Sequence, residues 1–209
     1  MALWAEGKAQ SPEAPGPARR HATEWGLASG GAADLPGSTR GGEFWAVQLR
    51  WGKVLTAPHG PGALRGTLEY AFEIVPAMAL RQAEAPGGFR FRQAPDFVTS
   101  ATASRESDGA LFGGGINPFF WQYNFTAHPR LVPYLQLGAG LLFTTRDFPA
   151  GTSSFNFTPQ GGVGAYWFTS PRRAVSVGVR YHHTSNAGTG RANPGHNALY
   201  FYAGLSWWR

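Results

Sequence analysis

The stretch Ala174–Ser185, AVSVGVRYHHTS, decides how this chain is read. Val175, Val177, Val179 and Tyr181 alternate with Ser176, Gly178 and Arg180, the period-two pattern of a strand with one apolar face. The same apolar phase runs on into His183 and Ser185, so a base and a hydroxyl project from the greasy side, one pleat apart. A soluble enzyme would place such a pair in a polar cleft. A face turned to lipid would place it beside lipid esters.

Similar alternation recurs along the chain. It is weak over His21 to Ser29, where Trp25 and Leu27 are in phase, and clear in Trp45, Val47, Leu49 and Trp51. Further segments carry Leu68 to Ile74, Phe119 to Phe125, Leu131 to Phe143, Phe155 to Trp167 and Leu199 to Trp207 on one phase. The opposite phase mixes Gly, Ser and Tyr with Gln48, Arg50, Glu69, Glu73, Gln122, Gln136 and Arg180. Water would not tolerate the greasy phase over so many strands, whereas the polar phase suits the packed interior of a small closed barrel. A soluble lipid carrier would reverse the two faces. The expected fold is therefore all-β, an eight-stranded antiparallel transmembrane β-barrel of the outer-membrane type, occupying residues 20–209.

Composition agrees. The chain has 209 residues, 29 Gly, 8 Trp, 15 Phe and 7 Tyr, no Cys, and a mean hydropathy of -0.25. That average is what alternating lipid-facing and interior positions produce. With no Cys, disulfides and thiolate metal sites are excluded. The net charge of +6 is carried almost wholly by Arg scattered among aromatic strands, which fits membrane phosphates and gives no nucleic-acid patch. Residues 1–19, with Pro12, Pro15 and Pro17, read as a flexible lead-in. Met1 to Gln10 lacks the basic and apolar regions of a secretion signal, so the chain reads as a mature or shortened form.

Connection lengths orient the barrel. Thr126 to Arg130 and Thr169 to Arg172 are short, whereas roughly thirty residues, about Ala77 to Ser107, join the third and fourth strands and read as a mobile outer loop. Short turns belong to the periplasmic side, so parity puts both termini there and the segment Thr184 to His196 outside. His183 and Ser185 then stand at the outer rim. Residues two apart on a strand lie about 6.5–7 Å apart, close enough for an imidazole to reach a serine hydroxyl. The last strand brings Asn197 back on the greasy phase, where it can orient His183. Asn186 and Gly188 are candidate donors to an oxyanion.

The run His183-Thr184-Ser185-Asn186-Ala187-Gly188, followed by a Pro/Gly loop and an aromatic last strand, resembles the PagL-type lipid A 3-O-deacylases over about Val175 to Trp208. The resemblance implies an eight-stranded outer-membrane barrel that removes the ester-linked acyl chain from the 3-position of lipid A. It implies His183 as base, Ser185 as nucleophile and Asn186 as the asparagine that follows it, with no metal or cofactor. Its partners would be lipopolysaccharide and the outer leaflet, and the lipid-facing aromatic belt would permit a homodimer. One position departs: the family's acidic third member falls at Asn197. An amide oxygen can hold the ring but cannot stabilise the imidazolium by charge. Glu106, Asp108 and Asp147 are the acidic outer-loop residues that could substitute. The competing reading is a non-catalytic structural or binding barrel that has lost the acidic member. His182 is read as an interior structural residue, His196 as a loop residue, and Glu69, Glu73 and Arg50 as interior ion pairs.

Overall fold

The structure is a computed structural model, and it describes residues 13–35, 42–82, 110–190 and 192–209. Strands β1 (Thr23–Asp34), β2 (Gly42–Val54), β3 (Gly66–Gln82), β4 (Leu111–Phe125), β5 (Leu131–Thr144), β6 (Phe155–Phe157), β7 (Gln160–Ser170), β8 (Arg173–Thr184) and β9 (His196–Trp208) form one antiparallel sheet. The β4–β5 and β1–β9 pairings close it on itself. β6 and β7 both pair with β5, interrupted at Thr158 and Pro159, so the nine segments make eight staves.

The two phases face as expected. Leu137 is 69% exposed, Phe201 56% and Val177 52%, among an outer wall that includes Trp25, Trp121, Phe119 and Trp167. Apolar surface on that scale needs a hydrocarbon solvent, and in hydrocarbon every amide must be bonded within the sheet, which closure achieves.

Inside, charge is paired. Arg50 donates to Glu24 (2.8 Å), Glu73 (3.0 Å) and Glu69 (3.0 Å), and Arg180 grips Glu73 through both terminal nitrogens at 2.8 and 2.9 Å. Asn117 and Asn124 also donate to Glu73 and Glu69. The Arg180 guanidinium lies over Phe120 at 4.6 Å and Tyr202 at 4.7 Å. Phe120 in turn occupies the space where a Cβ on Gly138 would stand, so only glycine fits there.

The interior is not polar throughout. Phe44, Leu80, Leu111, Leu142, Phe148 and Tyr200 form an apolar layer toward the long connections, and Val54, Val132, Tyr134, Tyr166, Phe168 and Trp208 form another toward the short turns. The second layer is completed by part of the expected lead-in. Pro15, Gly16 and Pro17 are buried, Gly16 packs against the Trp208 indole, and the Pro17 carbonyl accepts from Thr67 Oγ1 at 2.8 Å. Residues 1–12 lie outside the described residues. Two further expectations change. Ala77 to Gln82 belong to β3 rather than to the outer loop, and the remainder of that loop, 83–109, lies outside the described residues. A register shift between Val75 and Met78 hides the continuation, because consecutive Pro76 and Ala77 are both exposed and the alternation breaks there. His196 is the first residue of β9, fully buried, with Nε2 at 2.6 Å from Asp34 Oδ1 and 3.0 Å from the Gly42 carbonyl.

Replacing Arg50 by Met would strand Glu24 and Glu69 in the interior. The expected loss is about 3–5 kcal/mol, read as an earlier thermal loss of strand circular dichroism in detergent. An unchanged transition would show that the cluster does not hold the barrel together.

Candidate active site

The outward phase of β8 ends in Tyr181, His183 and Ser185, while His182, Thr184 and Asn186 are buried inside. His182 packs its ring against Phe44 at 5.1 Å, in keeping with a structural role. Arg180, His182 and His196 hold the inward phase of β8 and β9 in the barrel, and this forces His183 and Asn197 outward.

His183 and Asn197 are directly opposite in the β8–β9 register. His183 Nδ1 lies 2.6 Å from Asn197 Oδ1, and the same oxygen accepts a bond from Tyr181 Oη at 2.6 Å. An amide oxygen only accepts, so the histidine proton resides on Nδ1 and the Nε2 lone pair faces outward from the pair. Gly195 borders that ring. Its φ is +67°, and a Cβ there would come within 3.0 Å of His183 Cε1 and 3.6 Å of Nε2.

Ser185 follows the last β8 residue and is fixed by a two-way backbone bridge to Phe157 of β6. Its Oγ donates to Asn193 Oδ1 at 2.9 Å and accepts from the Ala187 amide at 3.1 Å. Among the described residues no hydrogen bond joins Ser185 to His183, so at rest the expected contact between base and hydroxyl is not made. Asn193 Oδ1 also accepts from the Asn186 amide at 3.2 Å. The two expected oxyanion donors are engaged within the turn: Gly188 N–H donates to Asn186 Oδ1 (2.9 Å), and Asn186 Nδ2 donates to the Ala192 carbonyl (2.8 Å). Together they shape the turn that carries Ser185.

His183, Ser185 and Asn197 thus share one outward patch, joined by Tyr181, Asn193 and Gly195, which the sequence reading did not assign. In the sequence Tyr181 reads as an apolar strand residue, and its hydroxyl on the histidine phase is the available signal. Asn193 and Gly195 carry no such signal, since their segment reads only as a loop. Glu106 and Asp108, the candidate acidic substitutes, lie outside the described residues, and Asp147 sits on the β5–β6 connection. Among the described residues, no three His, Cys, Asp or Glu side chains gather as a metal site.

A family model described as lipid A 3-O-deacylase (PagL) matches residues 82–206. No curated protein matches the chain significantly. Among solved structures, the outer membrane enzyme PagL is similar with a TM-score of 0.55 and 18% identity, covering 87% of this chain and 97% of that one. Neisserial surface protein A (NspA) is similar with a TM-score of 0.50 and 15% identity, covering 89% and 96%. Both likenesses cover most of the chain, and at these identities they speak for the fold.

A methyl group at Gly195 would press on the histidine edge that carries the free lone pair and would strain a left-handed backbone position. Gly195→Ala is expected to slow carbethoxylation of His183 by diethyl pyrocarbonate relative to the exposed His59 and His128, followed by peptide mass spectrometry. An unaltered rate at His183 would show that Gly195 does not guard the ring.

Proposed function

Because this chain belongs to the lipid A 3-O-deacylase (PagL) family, we propose that it is an outer-membrane esterase that removes the 3-linked acyl chain of lipid A, using Ser185 and His183 at the outer rim. The observation that carries this reading is the His183–Asn197 contact on the lipid-facing wall, at the end of the barrel bearing the long connections. It leaves a histidine lone pair one pleat from a serine hydroxyl, where an acyl ester in the outer leaflet would meet both.

The reaction begins as the Ser185 hydroxyl turns from Asn193 toward His183 Nε2, a change of side-chain rotamer. Oγ attacks the acyl carbonyl carbon while its proton passes to Nε2. The carbonyl pair moves onto oxygen. The amide of Ala187, which donates to Oγ at rest, is released by that turn and becomes the donor for the developing oxyanion. Collapse breaks the bond between the carbonyl carbon and the sugar oxygen, and His183 returns the proton to that oxygen. Water, deprotonated by His183, then attacks the acyl-serine, and the fatty acid leaves as Ser185 regains its proton. Asn197 orients the ring throughout but lends no charge to the imidazolium.

Mass spectrometry of lipid A from cells producing the protein should show loss of one acyl chain. Ser185→Ala and His183→Ala should each abolish that loss. Asn197→Glu should raise the rate about tenfold or more, since a carboxylate both orients the ring and stabilises its charge. Deacylation that persists in Ser185→Ala would refute the serine mechanism. No deacylation in the parent and none in Asn197→Glu would favour the non-catalytic barrel.

A further inference from the structure

We infer that Tyr181 is a positioning residue, whose hydroxyl holds the Asn197 amide with its oxygen toward His183 and thereby fixes the histidine tautomer. The inference rests on the Ser185–His183 reading above and explains how an uncharged third member can serve in it.

A carboxylate presents an oxygen to the imidazole whichever way it is turned. An amide does not. Rotated by half a turn about its last bond, Asn197 would offer NH2 to His183 Nδ1, the proton would move to Nε2, and the lone pair needed to accept the serine proton would be lost. Something must choose between the two orientations. Tyr181 lies one pleat before His183 on the same outward phase, and Asn197 is opposite His183, so Tyr181 and Asn197 are diagonal neighbours across β8 and β9. Their 2.6 Å contact is a short bond in which the Tyr181 hydroxyl donates to Asn197 Oδ1. A phenol donates more strongly than it accepts, because its oxygen lone pair is shared with the ring, so it favours the amide oxygen over the amide NH2 as its partner. That oxygen has two lone pairs, one for Tyr181 and one for the Nδ1–H of His183.

The competing role for an outward tyrosine near a barrel rim is an interfacial anchor. Tyr181 is 43% exposed, so both roles are sterically open to it, and they predict different couplings. An anchor acts whatever stands at position 197. An amide lock matters only while position 197 is an amide.

The test compares Tyr181→Phe in the parent and in Asn197→Asp, which has the same shape with two equivalent oxygens. Deacylation of lipid A in detergent micelles is expected to fall about tenfold or more in the parent and to change less than about twofold in the Asn197→Asp background. Nitrogen-15 spectra of histidine-labelled protein, with His183 assigned by its loss in His183→Gln, provide a second readout. They should show the Nδ1–H tautomer in the parent, a mixture with Nε2–H in Tyr181→Phe, and Nδ1–H restored in Tyr181→Phe/Asn197→Asp. Equal loss of activity in both backgrounds, or an unchanged tautomer in Tyr181→Phe, would overturn the inference. If Ser185→Ala retains activity the serine mechanism falls, and the spectra still decide the role of Tyr181. If the parent proves inactive, the spectra alone decide it.

Discussion

A strand that crosses hydrocarbon must bond every amide to a neighbouring strand, and a sheet can satisfy this only by closing. Closure then assigns each side chain to one of two environments of opposite polarity, and period-two geometry makes the assignment rigid. In β8 the consequence is direct. Arg180 must reach Glu73, and His182 must pack on Phe44, so Tyr181 and His183 have no choice but to face outward. A slip of one residue would drive the Arg180 guanidinium into lipid and turn His183 into the interior. The polar cluster inside thus sets the aim of the site outside.

This coupling is why so much was legible in the sequence. Wherever large apolar residues alternate with polar ones, as in β8 and β9, the phase and its facing follow from the pattern alone, and Asn197 is legible on the outward phase of the strand beside His183. Legibility failed where the signal depended on distant partners. His196 looks like a loop residue after Pro194 and Gly195, and only Asp34 and the Gly42 carbonyl, far away in the chain, make it the buried start of a strand. Pro15 and Pro17 look like coil until Trp208 stands beneath them. The tail of β3 is concealed by a register shift and small outward residues. Within the site, the position of each side chain was readable, but the hydrogen bonds were not. The resting hydroxyl of Ser185 turns to Asn193, a loop residue whose reach depends on how that loop folds back.

Asn197 sets the electrostatic character of the proposed site. A carboxylate would supply orientation and charge together, whereas the amide supplies orientation only, and only in one of its two rotations. The protein surrounds that weaker group with a short phenolic bond and a glycine that leaves the ring room. The outcome is a neutral hydrogen-bonded assembly on a wall facing lipid. Such an assembly avoids exposing a permanent anion there, where an unpaired charge is disfavoured in a depth-dependent way.

The pairing of β1 with β9 has a consequence for how the molecule comes into being. It joins Glu24 to Trp208 and Asp34 to Ala198, so the seam unites nearly the two ends of the chain. Contacts between such remote segments carry the largest loop-closure entropy and form late. The seam is reinforced where Thr23 and Arg209 exchange backbone bonds at 2.8 and 2.9 Å, beside the buried Trp208. The strand that seals this seam is also the one that carries Asn197. A chain still in passage to its membrane therefore holds Ser185 and His183 on a strand whose neighbour has only one edge secured. The His183–Asn197 pair itself lies within the local β8–β9 hairpin, so what sealing of the wall completes is the facing of that pair toward lipid.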